Sequence, residues 1–172
     1  MTPFKDSYEL NIEPLKENIR FMMDSGISNG EGTIICPCGT GEYVTLSPEE
    51  HKMVVKAAVE VGGNELPVIA GVPSWDYRVA IKLALNAAEA GAKCVMIPPP
   101  SYYPLSQEDI YRWYKTIAEG IKGKIGIMAY NQPWNEYVGG FISLPLLGKL
   151  AETTNDFYRF PQNGCRMLDK RQ

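Results

Sequence analysis

Short apolar runs alternate along this chain with longer stretches in which apolar residues recur every three or four positions, the pattern of strand followed by helix. Residues 14–24 predict a helix: Leu15, Ile19, Met22 and Met23 share one stripe, and Gly26 stops it. Thr33-Ile34-Ile35-Cys36 is the first strand, followed by a glycine-bearing turn. Ser47-Pro48-Glu49-Glu50 starts a second helix: Ser47 caps it, Pro48 suits the first helical position, and Glu50 completes a capping box. That helix runs to about Val61 and breaks at Gly62-Gly63. Leu66-Pro67-Val68-Ile69-Ala70 is a second strand ending at Gly71. A helix capped by Ser74 then extends through Ala90, with Val79, Leu83, Ala87 and Ala90 as its buried face and Gly91 as its stop. Residues 93–97 form a third strand, cut off by Pro98-Pro99-Pro100. Ser106 opens a helix with Ile110, Trp113, Tyr114 and Ile117 inward; residues 125–130 are a fourth strand, 143–153 a fifth helix, and 157–160 begin a fifth strand.

Continuous apolar strands joined by single helices imply a parallel sheet buried on both faces. Right-handed crossovers leave two closures, an open doubly wound sheet or a barrel, and periodicity leaves both open. In either, sites form at strand C-terminal ends. Two polar segments stand there: Cys38-Gly39-Thr40-Gly41-Glu42 and Tyr130-Asn131-Gln132-Pro133. No GxGxxG and no phosphate-loop lysine occurs, which argues against nucleotide binding.

Composition narrows the function classes. The 172 residues amount to one domain's length and form one domain across 1–172. A net charge of −3 and a pI near 5.3 give no case for nucleic acid or an anionic membrane as partner. No apolar run approaches the roughly 20 residues that span a bilayer, and the first residues lack a signal peptide's apolar core, so a cytoplasmic location is expected. The four cysteines, Cys36, Cys38, Cys94 and Cys165, fit no zinc spacing, and His51 is the single histidine, so no metal or other cofactor is expected. Cys36 and Cys94 lie in apolar runs and read as buried free thiols. His51, following Glu49-Glu50, reads as solvated.

The order of motifs points to a family. Thr2-Pro3-Phe4, Gly39-Thr40-Gly41-Glu42 with Leu46-Ser47-Pro48-Glu49-Glu50-His51, Pro67-Val68-Ile69-Ala70-Gly71, Ser101-Tyr102-Tyr103 with Ser106-Gln107-Glu108, and Tyr130-Asn131-Gln132-Pro133 follow one another in this order. Together they resemble the dihydrodipicolinate synthase and N-acetylneuraminate lyase superfamily of class I pyruvate-type aldolases. The resemblance implies an α/β fold, a (β/α)8 TIM barrel of which this chain holds a partial barrel, roughly strands 2 to 6. It implies a lyase acting on a small 2-oxo acid, such as pyruvate or a keto-deoxy sugar acid, through a Schiff base, in a homo-oligomer. Tyr130 corresponds to the proton-relay tyrosine. Tyr103 matches the tyrosine that joins the relay across a subunit interface. Thr40 and the backbone of Gly39 and Gly41 correspond to the carboxylate-binding turn.

Three departures stand out. Gly39 replaces the first of the family's two threonines, and Asn135 replaces an arginine that serves the second substrate's carboxylate. Most seriously, aligning Arg159-Phe160-Pro161 with the family's Schiff-base strand puts proline at the nucleophilic lysine. Lys93 and Lys124 lie at strand starts, the opposite end from the site. Loss of a covalent nucleophile removes orders of magnitude of rate, so an impaired lyase is expected. The alternative is a non-catalytic partial barrel that binds a small carboxylate or associates with full-length homologues. An unrelated flavodoxin-like domain is disfavoured by the ordered motifs.

Overall fold

The computed structural model describes residues 1–27, 32–73, 75–100, 104–131 and 141–153. Five helices and four strands occur among them: α1 (Ile12–Asp24), β1 (Ile34–Ile35), α2 (Pro48–Gly62), β2 (Val68–Gly71), α3 (Tyr77–Ala90), β3 (Cys94–Ile97), α4 (Gln107–Ile121), β4 (Gly126–Ala129) and α5 (Leu144–Thr153). The predicted strand at 157–160 lies outside the described residues.

The helix starts follow their local chemistry. At α2 the Ser47 hydroxyl accepts the Glu50 N–H at 3.2 Å and the Glu50 carboxylate accepts the Ser47 N–H at 2.8 Å, with Pro48 at the first position. Ser106 caps α4 with its hydroxyl, which takes the Asp109 N–H at 3.1 Å and donates to the Asp109 carboxylate at 2.6 Å. At α3 the cap is Asp76, whose carboxylate takes the Arg78 N–H at 2.8 Å; Ser74 lies outside the described residues. The buried face of α3 agrees with the expectation at Leu83 and Ala87 and departs from it at Val79. Ala80, Leu83, Ala84 and Ala87 are buried, whereas Val79 is 37% exposed. The observed face is turned toward Ala80 and Ala84 relative to the expected one. It brings small alanines to the core and lets α3 pack closely.

All four strands run parallel in the order β1-β2-β3-β4, with Ile35 opposite Ile69, Ala70 opposite Val95 and Met96 opposite Met128. A doubly wound sheet reverses its strand order at a switch point. Among the described residues this sheet has no reversal, and each helix packs on the next in sequence. That is the curved wall of a (β/α)8 barrel in part.

Strand alternation gives the wall two faces. Ala70, Val95, Ile97 and Ile127 point outward into the main core with α3, α4 and α5. Ile69, Cys94 and Met96 point inward, with Cys38, Met128 and Tyr130 packed against them. At the other end of the wall, Cys36 joins Leu15, Ile19, Val54 and Ala58 between α1, α2 and β2. Cys36 and Cys94 are thus buried thiols, as their surroundings in the sequence suggest.

Candidate functional site

The site lies at the C-terminal ends of the strands, on the inner face. After β1 the chain makes two tight turns, Gly39–Gly41, closed by bonds from Gly41 N–H to Cys38 O (2.9 Å) and from Glu42 N–H to Gly39 O (3.0 Å), and Tyr43–Thr45, closed by a bond from Thr45 N–H to Glu42 O (2.9 Å). The joint between them is Glu42, which adopts a left-handed φ of 57°. Thr40 is exposed, and its hydroxyl lies 3.3 Å from the Cys38 thiol. Because the Gly41 N–H is engaged within the turn, the donors left for an anion are the Gly39 and Thr40 N–H groups, which make no hydrogen bond to described residues, and the Thr40 hydroxyl. Gly41 serves the turn differently. Its carbonyl accepts the hydroxyl of buried Thr2 at 2.6 Å, and a Cβ at Gly41 would stand 3.2 Å from that hydroxyl.

Tyr130 follows β4 and is placed by two backbone-directed bonds. Its N–H donates to Ile97 O at 2.9 Å, and the Tyr114 hydroxyl, from α4, donates to the same carbonyl at 2.7 Å. Burial pushes the Tyr114 phenol far above its usual range, with the Tyr130 N–H opposing the shift, so Tyr114 remains a protonated strut. Next along, Asn131 clamps the chain before α5: its amide donates to Ile142 O (3.2 Å) and accepts from Ile142 N–H (3.0 Å).

The turn and Tyr130 meet on the inner face. Cys38 and Tyr130 belong to one cluster with Ile69, Cys94 and Met96. Tyr43 is held above the usual phenol pKa by burial first, then by Tyr130 and Cys38 beside it. Tyr103, Gln132-Pro133, Asn135 and Pro161 lie outside the described residues. Lys93 and Lys124 stand before β3 and β4, at the far end of the wall. No group of three or more metal-ligating side chains occurs among the described residues. No described helix is long and apolar enough to cross a membrane.

His51 corrects an expectation: it is buried, 1% exposed, with its Nε2 2.7 Å from Gly71 O. The signal was available. With α2 starting at Pro48, residues 51, 54, 55 and 58 fall on one stripe, and the last three are valine, valine and alanine. Tyr114 and Thr2 also carry polar groups that support the site. For Tyr114 the clue is a phenol on a buried stripe, whose hydroxyl needs a partner. Thr2 gives no local clue, because its partner lies 39 residues away.

Residues 1–155 match the family described as the dihydrodipicolinate synthetase family. The chain is 37% identical over 134 residues to a 4-hydroxy-tetrahydrodipicolinate synthase of Prosthecochloris aestuarii, covering 77% of this chain and 43% of that protein. It is 39% identical over 155 residues to that of Acetivibrio thermocellus, covering 90% of this chain and 50% of that protein. Among solved structures, dihydrodipicolinate synthase from Aquifex aeolicus superposes with a TM-score of 0.80 at 32% identity, covering 91% of this chain and 50% of that one. The chloride-inhibited enzyme of Acinetobacter baumannii, complexed with pyruvate, superposes at 0.79 and 30%, covering 90% and 50%. The chain spans about half the length of the relatives it matches.

Proposed function

Because the chain belongs to the dihydrodipicolinate synthetase family, we propose that it carries the carboxylate-binding turn and relay tyrosine of a lyase for 2-oxo acids, and that it binds such an acid better than it converts one. The observation that carries this reading is the convergence of the Cys38–Gly41 turn and Tyr130 on one inner face, from opposite ends of the wall. A 2-oxo acid would rest its carboxylate on the Gly39 and Thr40 N–H groups and the Thr40 hydroxyl. Its ketone would then point toward the Tyr130 phenol, placed to give and take a proton where an amine adds to that ketone. The amine that attacks the ketone is the missing part. Pro161 stands where the family pattern has lysine, and a proline in a peptide has no amine to offer.

Asn135, in place of an arginine, lacks the bidentate grip on a second carboxylate and favours pyruvate or a keto-deoxy sugar acid over a dicarboxylate partner reaction. Tyr103 would complete the relay from a neighbouring subunit of a cytoplasmic homo-oligomer. The pyruvate complex of the Acinetobacter baumannii enzyme supports the ligand class.

One observation favours binding without turnover in association with full-length homologues. Among the described residues β1 and β4 each pair with a single neighbour, and either edge can take a further parallel strand, the one expected at 157–160 or a homologue's. Borohydride reduction in the presence of pyruvate, alongside calorimetry with pyruvate, tests the whole reading. Binding with no reduced adduct is the expected result. An adduct on any lysine would overturn the assignment of Pro161, and absence of binding by pyruvate and by a keto-deoxy sugar acid would overturn the 2-oxo acid site.

A further inference from the structure

The geometry points to His51 as a positioning residue for the carboxylate-binding turn, acting through the backbone of Gly71; this rests on the reading of that turn given above. His51 lies in the first turns of α2, on the stripe it shares with Val54, Val55 and Ala58. Its Nε2 meets the Gly71 carbonyl at 2.7 Å. A carbonyl only accepts, so Nε2 carries the proton and Nδ1 is the bare nitrogen. That Nδ1 is buried with no hydrogen-bond partner among the described residues. Burial holds the imidazole below its ordinary pKa, the Gly71 bond opposing, which keeps the ring in this single neutral form.

Gly71 is where α2 and the turn meet. It ends β2, and its N–H donates to Pro37 O at 3.0 Å. A side chain at this position would run into that same oxygen and lie 3.1 Å from Tyr43 Cδ2. Gly71 is therefore fixed by His51 on its carbonyl side and supports Pro37 and Tyr43 on the other. Pro37 leads directly into Cys38 and the Gly39 and Thr40 donors. The turn needs such support because β1 is two residues long and contributes few ladder bonds. A residue that only filled space would be apolar like its stripe-mates. An imidazole with an orphaned nitrogen is a poorer filler, and the bond to Gly71 is what it adds.

The test uses His51→Leu and His51→Gln in the full chain, with two readouts: the rate of Cys38 alkylation by iodoacetamide, followed peptide by peptide, and the affinity for pyruvate. His51→Leu is expected to raise the Cys38 rate and weaken pyruvate binding, each about tenfold, with helix content by circular dichroism unchanged. His51→Gln, whose amide reaches the same carbonyl, restores most of both. An unchanged Cys38 rate and affinity in a folded His51→Leu protein would overturn the proposal. If the unmodified chain binds no pyruvate, the 2-oxo acid reading falls while the Cys38 rate still decides the positioning role. Should His51→Leu not fold, nitrogen-15 NMR of the unmodified chain decides. A protonated Nε2 with a bare Nδ1 at neutral pH supports the role; the opposite tautomer or an imidazolium overturns it.

Discussion

Cys36 and Cys38 are separated by one residue and face opposite worlds. Strand alternation alone would put both on one side. However, β1 ends at Ile35, and as the chain leaves the strand for the Gly39–Gly41 turn Cys36 stays in the packing between α1, α2 and β2 while Cys38 comes onto the inner face with Tyr130. Burial pushes the Cys36 thiol up to about 12, so it carries almost no thiolate at neutral pH. Iodoacetamide at pH 8 is therefore expected to label Cys38 and leave Cys36 intact until the chain is denatured, as peptide mapping would show. Labelling of Cys36 at the Cys38 rate in the native chain would contradict its burial. At this scale the sequence was informative where the residue's own pattern decides its surroundings. Cys36 and Cys94 sit in apolar runs and are buried. His51 followed two glutamates, and local charge pointed to solvent; the helical stripe set by the Ser47 cap pointed inward and prevailed.

Among the elements, α2 has the clearest sequence-encoded boundary, and its start is fixed by a reciprocal pair of side-chain bonds. Replacing Ser47 with alanine leaves the Glu50 N–H without its cap and is expected to cost about 1 kcal/mol of stability by urea denaturation. Because α2 carries His51, the same substitution bears on the turn as well as on the helix. The helices starting at Pro48 and Gln107 were legible because their caps are local, a serine followed three residues later by an acid. The face of α3 was legible at Leu83 and Ala87 but not at Val79, because Val79 and Ala80 both lie within one turn of Leu83 and the choice rests on how closely the helix must approach its neighbours. β1, four residues by its apolar run, is two, since only Ile34 and Ile35 pair with β2 before the chain turns away toward Gly39. The barrel class, too, was open to periodicity and came from the ordered motifs. The sequential parallel sheet then bears it out.

At the scale of the molecule, the buried imidazole links stability to pH. Burial lowers the His51 pKa in the folded chain below its ordinary 6.5, while the unfolded chain binds a proton as the pH falls through that value. Its contribution is thus fully present above about pH 6.5 and is lost as the pH drops toward the lowered folded value. Thermal melts are expected to show a lower Tm at pH 5.5 than at pH 7.5, and His51→Gln should flatten that part of the profile. A slope unchanged in His51→Gln would assign the pH dependence elsewhere. The sequential packing has a broader effect. Each βα unit leans mainly on the unit before and after it, as blocks do in a row. Among the described residues the two end blocks have the fewest neighbours, and they are the ones that bear the Thr40 turn and Tyr130. A small molecule held by both would tie the first block of the row to the last, so occupancy would stiffen the whole arc.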